Sequence, residues 1–508
     1  MKRNLFNLSH YKLLSMNMGS LVPVGLVEVL PGDTFQAATR ALVRASPLLA
    51  PVMHPVHIRL SHWFVPHRLV WEDWEDFITG GPDGNDASVF PTIAFANGGL
   101  PGTLANYLGI PTTGFSLSVS ALPFRGYAMI WNEWYRDQDL QSGLTIDKTA
   151  GVDTTTNTAL QNCAWEKDYF TSARPWEQKG PAITVPLGTF APVIGIGLDN
   201  NGATAGTGNT GVGVNATSDS TMEAGDPTFL NTGTSDNIVI AAQQAGAVGP
   251  SNRPQIFADL TGVSAVTVNI LREAMALQRF EEARARYGSR YVEYLRYLGV
   301  RSSDSRLQRP EYLGGGQQTI QFSEVLQTAE GDDPVGELRG HGIGAVRSNR
   351  YRRFFEEHGY IFTMMSVKPK TIYFQGINRT WNRRVKEDFW QKELQHIGQQ
   401  EILNKEVYAS VAAGTGTGEQ DGVFGYQDRY DEYRRQESKV AGEFQTTLNF
   451  WHFAREFGSP PTLNADFVKS VPSEEPFAVP STDTIYVMAR HSIKARRMVA
   501  KTGTSFIY

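Results

Sequence analysis

A chain of 508 residues with 41% hydrophobic and 11% aromatic residues can bury a sizeable core. Its 47 Lys and Arg against 52 Asp and Glu exclude a global basic field, so any nucleic-acid contact must be local. The single cysteine, Cys163, excludes an internal disulfide and multi-cysteine metal centres and suits a reducing compartment. In chain order, residues 1–19 lack the uninterrupted apolar core of a signal peptide and no run of 18 apolar residues follows, which predicts a soluble protein of the cytoplasm with no membrane insertion. Residues 21–30, LVPVGLVEVL, read as a strand closed by Pro31, Gly32 and Asp33. TFQAATRALVRA, within 34–50, reads as a short helix with Phe35, Ala38, Leu42 and Val43 near one side. From Val56 to Val65 the period is two, with Val56, Ile58, Leu60, His62 and Phe64 on one face of a strand that Pro66 ends. The spacing then turns helical, with Trp74 and Phe77 on one side, solvated Glu72, Asp73, Glu75 and Asp76, and Gly80-Gly81 as the stop.

Residues 82–121 read as loop, and 124–137 as a helix with Tyr127, Ile130, Trp131 and Trp134 at helical spacing. Between Lys179 and Arg253 the composition changes to Gly, Ala, Thr, Asn and Ser, and residues 190–252 hold no Trp, Lys or Arg. The acids there are Asp199, Asp219, Glu223, Asp226 and Asp236, so the rest of the chain balances at 47 against 47 and the whole net charge of −5 sits in this tract. A phosphate-loop reading of its glycines fails for want of a lysine, and a flexible linker is the plain alternative. Ile270, Ala274, Leu277 and Phe280 then mark a helix capped by Gly288, and Ser289 opens a second that carries Tyr291, Tyr294 and Tyr297. The stretch to residue 322 reads as an ordered connector, 360–374 as a strand pair broken at Lys368-Pro369-Lys370, 378–396 as aromatic packing under a loop, and 411–422 as a small loop. Ile485, Val487 and Ala489 alternate as a last strand, followed by the basic Arg490, Lys494, Arg496, Arg497 and Lys501. Strands separated by long insertions fit a mainly β chain, an eight-stranded antiparallel jelly roll of the viral capsid type.

Chemistry-bearing patterns are few. His54, His57, His62 and His67 raise a metal question, but His57 and His62 are five apart on a strand and point to opposite faces, so no metal site is assigned. The carboxylates of WEDWED lie on an exposed turn where they stay ionised. HExxH, GxSxG and paired CxxC patterns do not occur. No catalytic residue, cofactor site or metal ligand is therefore named. Two function classes remain open on the residues alone. One is a β-rich carbohydrate-binding or carbohydrate-active protein using its aromatics and carboxylates, and the other a nucleic-acid binder using Lys2, Arg3 and the basic C-terminal strand.

The block HWFVPHRLVWEDWEDFITGG at 62–81 resembles the major capsid protein of microviruses, small icosahedral single-stranded DNA bacteriophages, and specifically the gokushovirus-like branch. The likeness continues through NLSHYKLLSMNMGSLVPVGLVEVLPGDTF near the start, LPFRGYAMIWNEWYRDQDL at 122–140, WEKDYFTSARPWEQKGP at 165–181 and FEEHGYIFTMMSVKPKTIYFQGI at 355–377. The resemblance implies self-assembly of about sixty copies into an icosahedral shell, in the virion and built in the host bacterial cytoplasm. It also implies packaged circular single-stranded DNA, a small basic DNA-binding protein, an internal scaffolding protein and a pilot protein as partners. Finally, it implies that 190–253 is a surface insertion, near a three-fold axis, on a jelly-roll domain formed by 1–189 and 254–508, with a host surface receptor as a further partner. On this reading Trp71, Trp74, Trp131 and Trp134 are candidate subunit contacts. Lys2, Arg3, Arg490, Lys494, Arg496 and Arg497 are candidates to face DNA, and Asp199, Asp219, Glu223, Asp226 and Asp236 to face the host.

Overall fold

A computed structural model describes residues 3–181, 183, 193–194, 257–258, 268–288, 290–300, 303–326 and 336–502. Ten strand segments make one curled antiparallel sheet: β1 (Asn4–Asn7), β2 (His10–Met16), β3 (Val22–Val29), β4 (Thr34–Ala45), β5 (Val56–Pro66), β6 (Glu311–Leu326), β7 (Leu338–Arg347), β8 (Tyr351–Phe354), β9 (Gly359–Pro369) and β10 (Ile485–Arg497). β1 and β2 pair end to end along β10, and β7 and β8 end to end along β4, so the ten segments act as eight strands. Their pairing is nested: the first strand lies against the last, β3 against β9, β4 against β7 and β8, and β5 against β6. β10 also pairs with β4, β9 with β5, and the far half of β6 with β7, which joins two four-stranded layers. This nesting is the jelly roll, a long hairpin rolled so that both layers bury one face.

The core lies between the layers. Ala41, Val43, Val56, Ile58, Leu60, Met365, Val367, Val487 and Ala489 fill one part of it, and Phe35, Phe64, Phe355, Ile361 and Ile493 another. β5 is covered on both sides, because its odd residues Trp63 and Val65 pack outward with Phe124, Tyr127 and Trp131. The long β5–β6 connection supplies that covering, including helix Leu122–Ile130, whose last turn widens into a π-helical turn at Trp131–Tyr135. The β9–β10 connection adds a separate cluster around Tyr373, Ile402, Phe424 and Phe467. The chain divides into two compact units, Met1–Lys179 with Glu282–Tyr508, and Gly180–Glu281.

Several sequence expectations are corrected. TFQAATRALVRA is the strand β4, not a helix: Phe35, Ala37, Thr39, Ala41 and Val43 alternate into the core, and neighbours on both edges overrode the helix preference of Ala, Leu and Arg. The connector reading fails over 311–326, which is the longest strand of the sheet. Its Gly314-Gly315-Gly316 run permits close strand approach: a Cβ on Gly316 would lie 2.1 Å from the Arg347 carbonyl oxygen, and one on Gly315 2.3 Å from that of Leu60. The predicted strand pair at 360–374 is the single strand β9, with Pro369 as its last residue rather than a turn. Within 82–121, Thr92–Phe95 pairs with Leu117–Ser120, and Leu104–Tyr107 is helical. The predicted helices at 270–280 and after Ser289 form as Val268–Tyr287 and Tyr291–Tyr297, with Gly288 at φ +98° between them.

Candidate nucleic-acid and assembly surfaces

On β4 and β10 every second side chain enters the core, so the alternate set covers one continuous outer face. Strand register arranges this face in rows. Arg347, Arg40, Arg490 and Tyr11 stand side by side across β7, β4, β10 and β2. One row along lie Ala345, Leu42, Met488 and Leu13, and beyond them Ile343, Arg44, Tyr486 and Ser15. On the other side of the arginine row, β8 and β1 extend the face with Arg352, Gln36, Lys494 and Asn7, then Phe354, Thr34, Arg496 and Leu5.

Directly opposed like charges on neighbouring strands repel, and here the three arginines of one row have no compensating acid. No Asp or Glu occupies an outward position of β4 or β10. Among the described residues no carboxylate pairs with Arg40, Arg44, Arg347, Arg352, Arg490, Lys494 or Arg496, whereas Arg353 and Arg497, beside them in sequence, are each paired. The Tyr11 ring lies 5.5 Å from the Arg490 guanidinium carbon. The row therefore presents its positive charge to solvent without compensation from the described residues.

The face unites four of the six predicted basic residues. Arg490, Lys494 and Arg496 lie on it, and Arg3 closes its end, donating to the Gly32 carbonyl at 2.9 Å and to Thr34 Oγ1 at 3.1 Å. Arg497 does not join them. It points the other way, donating from Nε to the buried Asp33 Oδ2 at 3.0 Å. Lys2 lies outside the described residues, as do Asp199, Asp219, Glu223, Asp226 and Asp236. The sequence reading missed Arg40, Arg44, Arg347 and Arg352. Two of these sit on a strand read as a helix and two on strands not read at all, yet the alternation of Arg40, Leu42 and Arg44 with buried Ala41 and Val43 was the available signal.

The four tryptophans part ways. Trp71 is wholly buried, ringed by Trp74, Phe77 and Phe90. Trp131 is also buried, and its Nε1 donates to the Asn162 carbonyl at 2.9 Å. Both indoles are spent inside one chain. Trp74 and Trp134 keep partial exposure; Trp134 packs at 4.7 Å against Trp63 with the rings tilted by 35°, lies under the Arg309 guanidinium at 4.4 Å and donates to the Pro310 carbonyl.

The histidines are structural. His62 Nδ1 lies 3.0 Å from Thr363 Oγ1, and His491 is held between Thr39 Oγ1 and the Val24 carbonyl, both at 3.0 Å. Burial pushes His62 down to about 3 and His54, His67 and His491 to about 4, so all four are neutral at pH 7. Among the described residues no three His, Cys, Asp or Glu side chains are grouped to hold a metal ion, and no helix is long and apolar enough to cross a membrane.

Comparison with known proteins agrees with this architecture. Residues 1–507 match the family described as Capsid protein (F protein). The chain is 35% identical to capsid protein VP1 of Bdellovibrio phage phiMH2K, covering 95% of this chain and 90% of that one. It is 33% identical to capsid protein VP1 of Chlamydia phage 1, covering 94% and 91%, and 32% identical to capsid protein VP1 of Spiroplasma virus 4, covering 92% and 87%.

Proposed function

Because the chain belongs to the Capsid protein (F protein) family, we propose that it is the major capsid protein of a single-stranded DNA phage, a structural protein and not an enzyme, whose copies assemble into the shell of the virion. The family match over residues 1–507 carries this reading and displaces the carbohydrate-binding alternative. About sixty copies would close an icosahedron through interfaces on the order of 2,000 Å² or more. Expression of the full chain with its scaffolding protein, followed by sizing and electron microscopy, tests it: closed shells are expected, and a chain that stays monomeric under all assembly conditions would overturn it.

The packaged DNA meets the outer face of β4 and β10 on this proposal, through Arg40, Arg44, Arg347, Arg490, Lys494 and Arg496, with Arg3 at the edge. The support is the uncompensated charge of that face. The small basic DNA-binding protein and the pilot protein share the interior, and a scaffolding protein acts during assembly in the host cytoplasm. Residues 190–253 form the outward insertion on a jelly-roll body of 1–189 and 254–508; Val193–Ile194 pairs antiparallel with Phe257–Ala258, which brings the two ends of the tract together at its base. Its residues 190–252 hold five acids and no lysine or arginine, which suits a surface turned away from DNA and toward a host receptor. Deleting 198–250 behind a short Gly-Ser linker should leave shells intact and lower adsorption to host cells. Shells that fail to form, or adsorption that does not change, would each remove one part of this reading.

A further inference from the structure

The basic face is not uniformly basic. Between the arginine row and the row of Arg44 runs a strip with no charge at all, Ala345, Leu42, Met488 and Leu13, and Leu13 is 80% exposed. Tyr11 and Tyr486, 63% and 42% exposed, flank it from the two adjoining rows. Rows on one face of a sheet are about 6.8 Å apart, so cations and apolar surface alternate at a spacing a polynucleotide can meet with phosphate and base together. Exposed apolar surface of this extent on a charged face marks a binding site.

We propose that this strip is a base-contacting surface that selects unpaired nucleic acid. The strand runs along the arginine row with its phosphates on Arg347, Arg40 and Arg490. Its bases turn toward the protein, stacking on Tyr11 and Tyr486 and covering Leu13 and Met488. A duplex keeps its base faces inside the helix and offers only phosphate to the sheet. It would engage the arginines while holding a hydrated, charged backbone over the apolar strip, which gains nothing there. The arginines thus supply attraction to any polyanion, and the strip supplies the preference for single strands. Contacts to base faces are sequence-tolerant, because every base has a π face. Arg490 adds a geometric reason: its guanidinium carbon lies over the Tyr11 ring, 5.5 Å from the centroid, so the cation for a phosphate and an aromatic for its base stand side by side.

This inference rests on the proposal that DNA meets the basic face, and the test separates the two. Binding of a fluorescent oligothymidine and of a duplex of equal length to the full-length protein would be measured by anisotropy across a salt series. For Tyr11→Ala with Tyr486→Ala, single-strand affinity should fall about tenfold or more while duplex affinity and the salt slope stay unchanged. Tyr11→Phe with Tyr486→Phe should restore single-strand binding, which also shows that the face is folded. Equal affinity for both oligonucleotides in the parent protein, or alanine variants that weaken both alike, would overturn the single-strand selectivity. Should Arg40→Gln with Arg490→Gln leave both affinities and the slope untouched, the underlying DNA-facing proposal fails as well. A face that binds neither oligonucleotide but retains an acidic peptide would point to a protein partner and refute both.

Discussion

Arg125 and Asp153 form an ion pair of 2.8 Å with both side chains entirely buried. The guanidinium also donates to the carbonyls of Val70 at 3.1 Å and Thr149 at 3.1 Å, and the carboxylate accepts from Thr155 and Thr156. One side chain therefore ties helix Leu122–Ile130 to the turn after His67–Val70 and to the loop at 149–156. Removing the cation leaves a buried carboxylate without its partner, so Arg125→Ala should cost about 3–5 kcal/mol, read as a shift in the urea midpoint. Arg125→Lys, which cannot reproduce the fork of donors, should recover only part of this.

The arginine row carries a different expectation. Arg40 has Arg347 on one side and Arg490 on the other, and relief of cross-strand repulsion should make Arg40→Gln more stable than the parent by about 0.5 kcal/mol at low salt, the difference shrinking as salt rises. The same variant should bind DNA more weakly, with the slope of log affinity against log salt reduced by about one. A variant that loses both stability and affinity would show that the row is held together within the chain.

Trp71 and Trp74 are three residues apart and should behave differently. Trp71→Ala opens a cavity in the layer over β5 and should cost about 3–5 kcal/mol in the isolated chain. Trp74→Ala, whose ring keeps partial exposure, should lose less in the isolated chain and show its effect in assembly yield. Thermal melts of subunits beside shell yields decide between core and contact for each.

His62 and His491 face one another's part of the barrel interior, with His10 stacked 4.7 Å from His491 and Lys12 among the charges bearing on it. Both folded values lie below the ordinary 6.5, near 3 and 4. The unfolded chain takes up protons below 6.5 while the folded chain resists until 3–4. Their contribution is therefore fully present above pH 6.5 and lost as pH falls through that window, at about 1.4 kcal/mol per histidine per pH unit. Melting temperature followed from pH 7 to 4 should fall, and His62→Gln should flatten the fall even where it lowers the starting value.

How far the sequence reveals this follows from which signals are local. The strands at 56–66 and 485–497 are legible because their apolar residues recur at every second position, and the one at 22–29 because it is rich in Val and closed by turn residues. β4 is not, because its inward positions include Ala37, Thr39 and Ala41, small side chains whose fit depends on what faces them and whose composition favours a helix. β7, LRGHGIGAVR, buries glycines at alternate positions, so it carries almost no hydrophobic period; Gly342 and Gly344 are needed because a Cβ there would lie 2.8 Å from the Phe322 ring and 2.8 Å from Ile58. The site inherits the same divide. Arg490, Lys494 and Arg496 were found as a basic run on a readable strand, and Arg40 and Arg347 were lost with theirs. That a row forms at all is a property of register between strands hundreds of residues apart, which no local pattern encodes.

The nested pairing also sets an order in time. β10 is made after every other strand of the sheet, yet it lies between β4 and the segments β1 and β2, from the other end of the chain. Until the ribosome has released residues 485–497, the first strands have no neighbour, the arginine row lacks Arg490, and the strip lacks Met488 and Tyr486. A nascent chain carries its cations on separate strands, and the surface is completed only when β10 joins β4. Such long-range closure is slow, and it keeps the basic face unassembled until the subunit has folded.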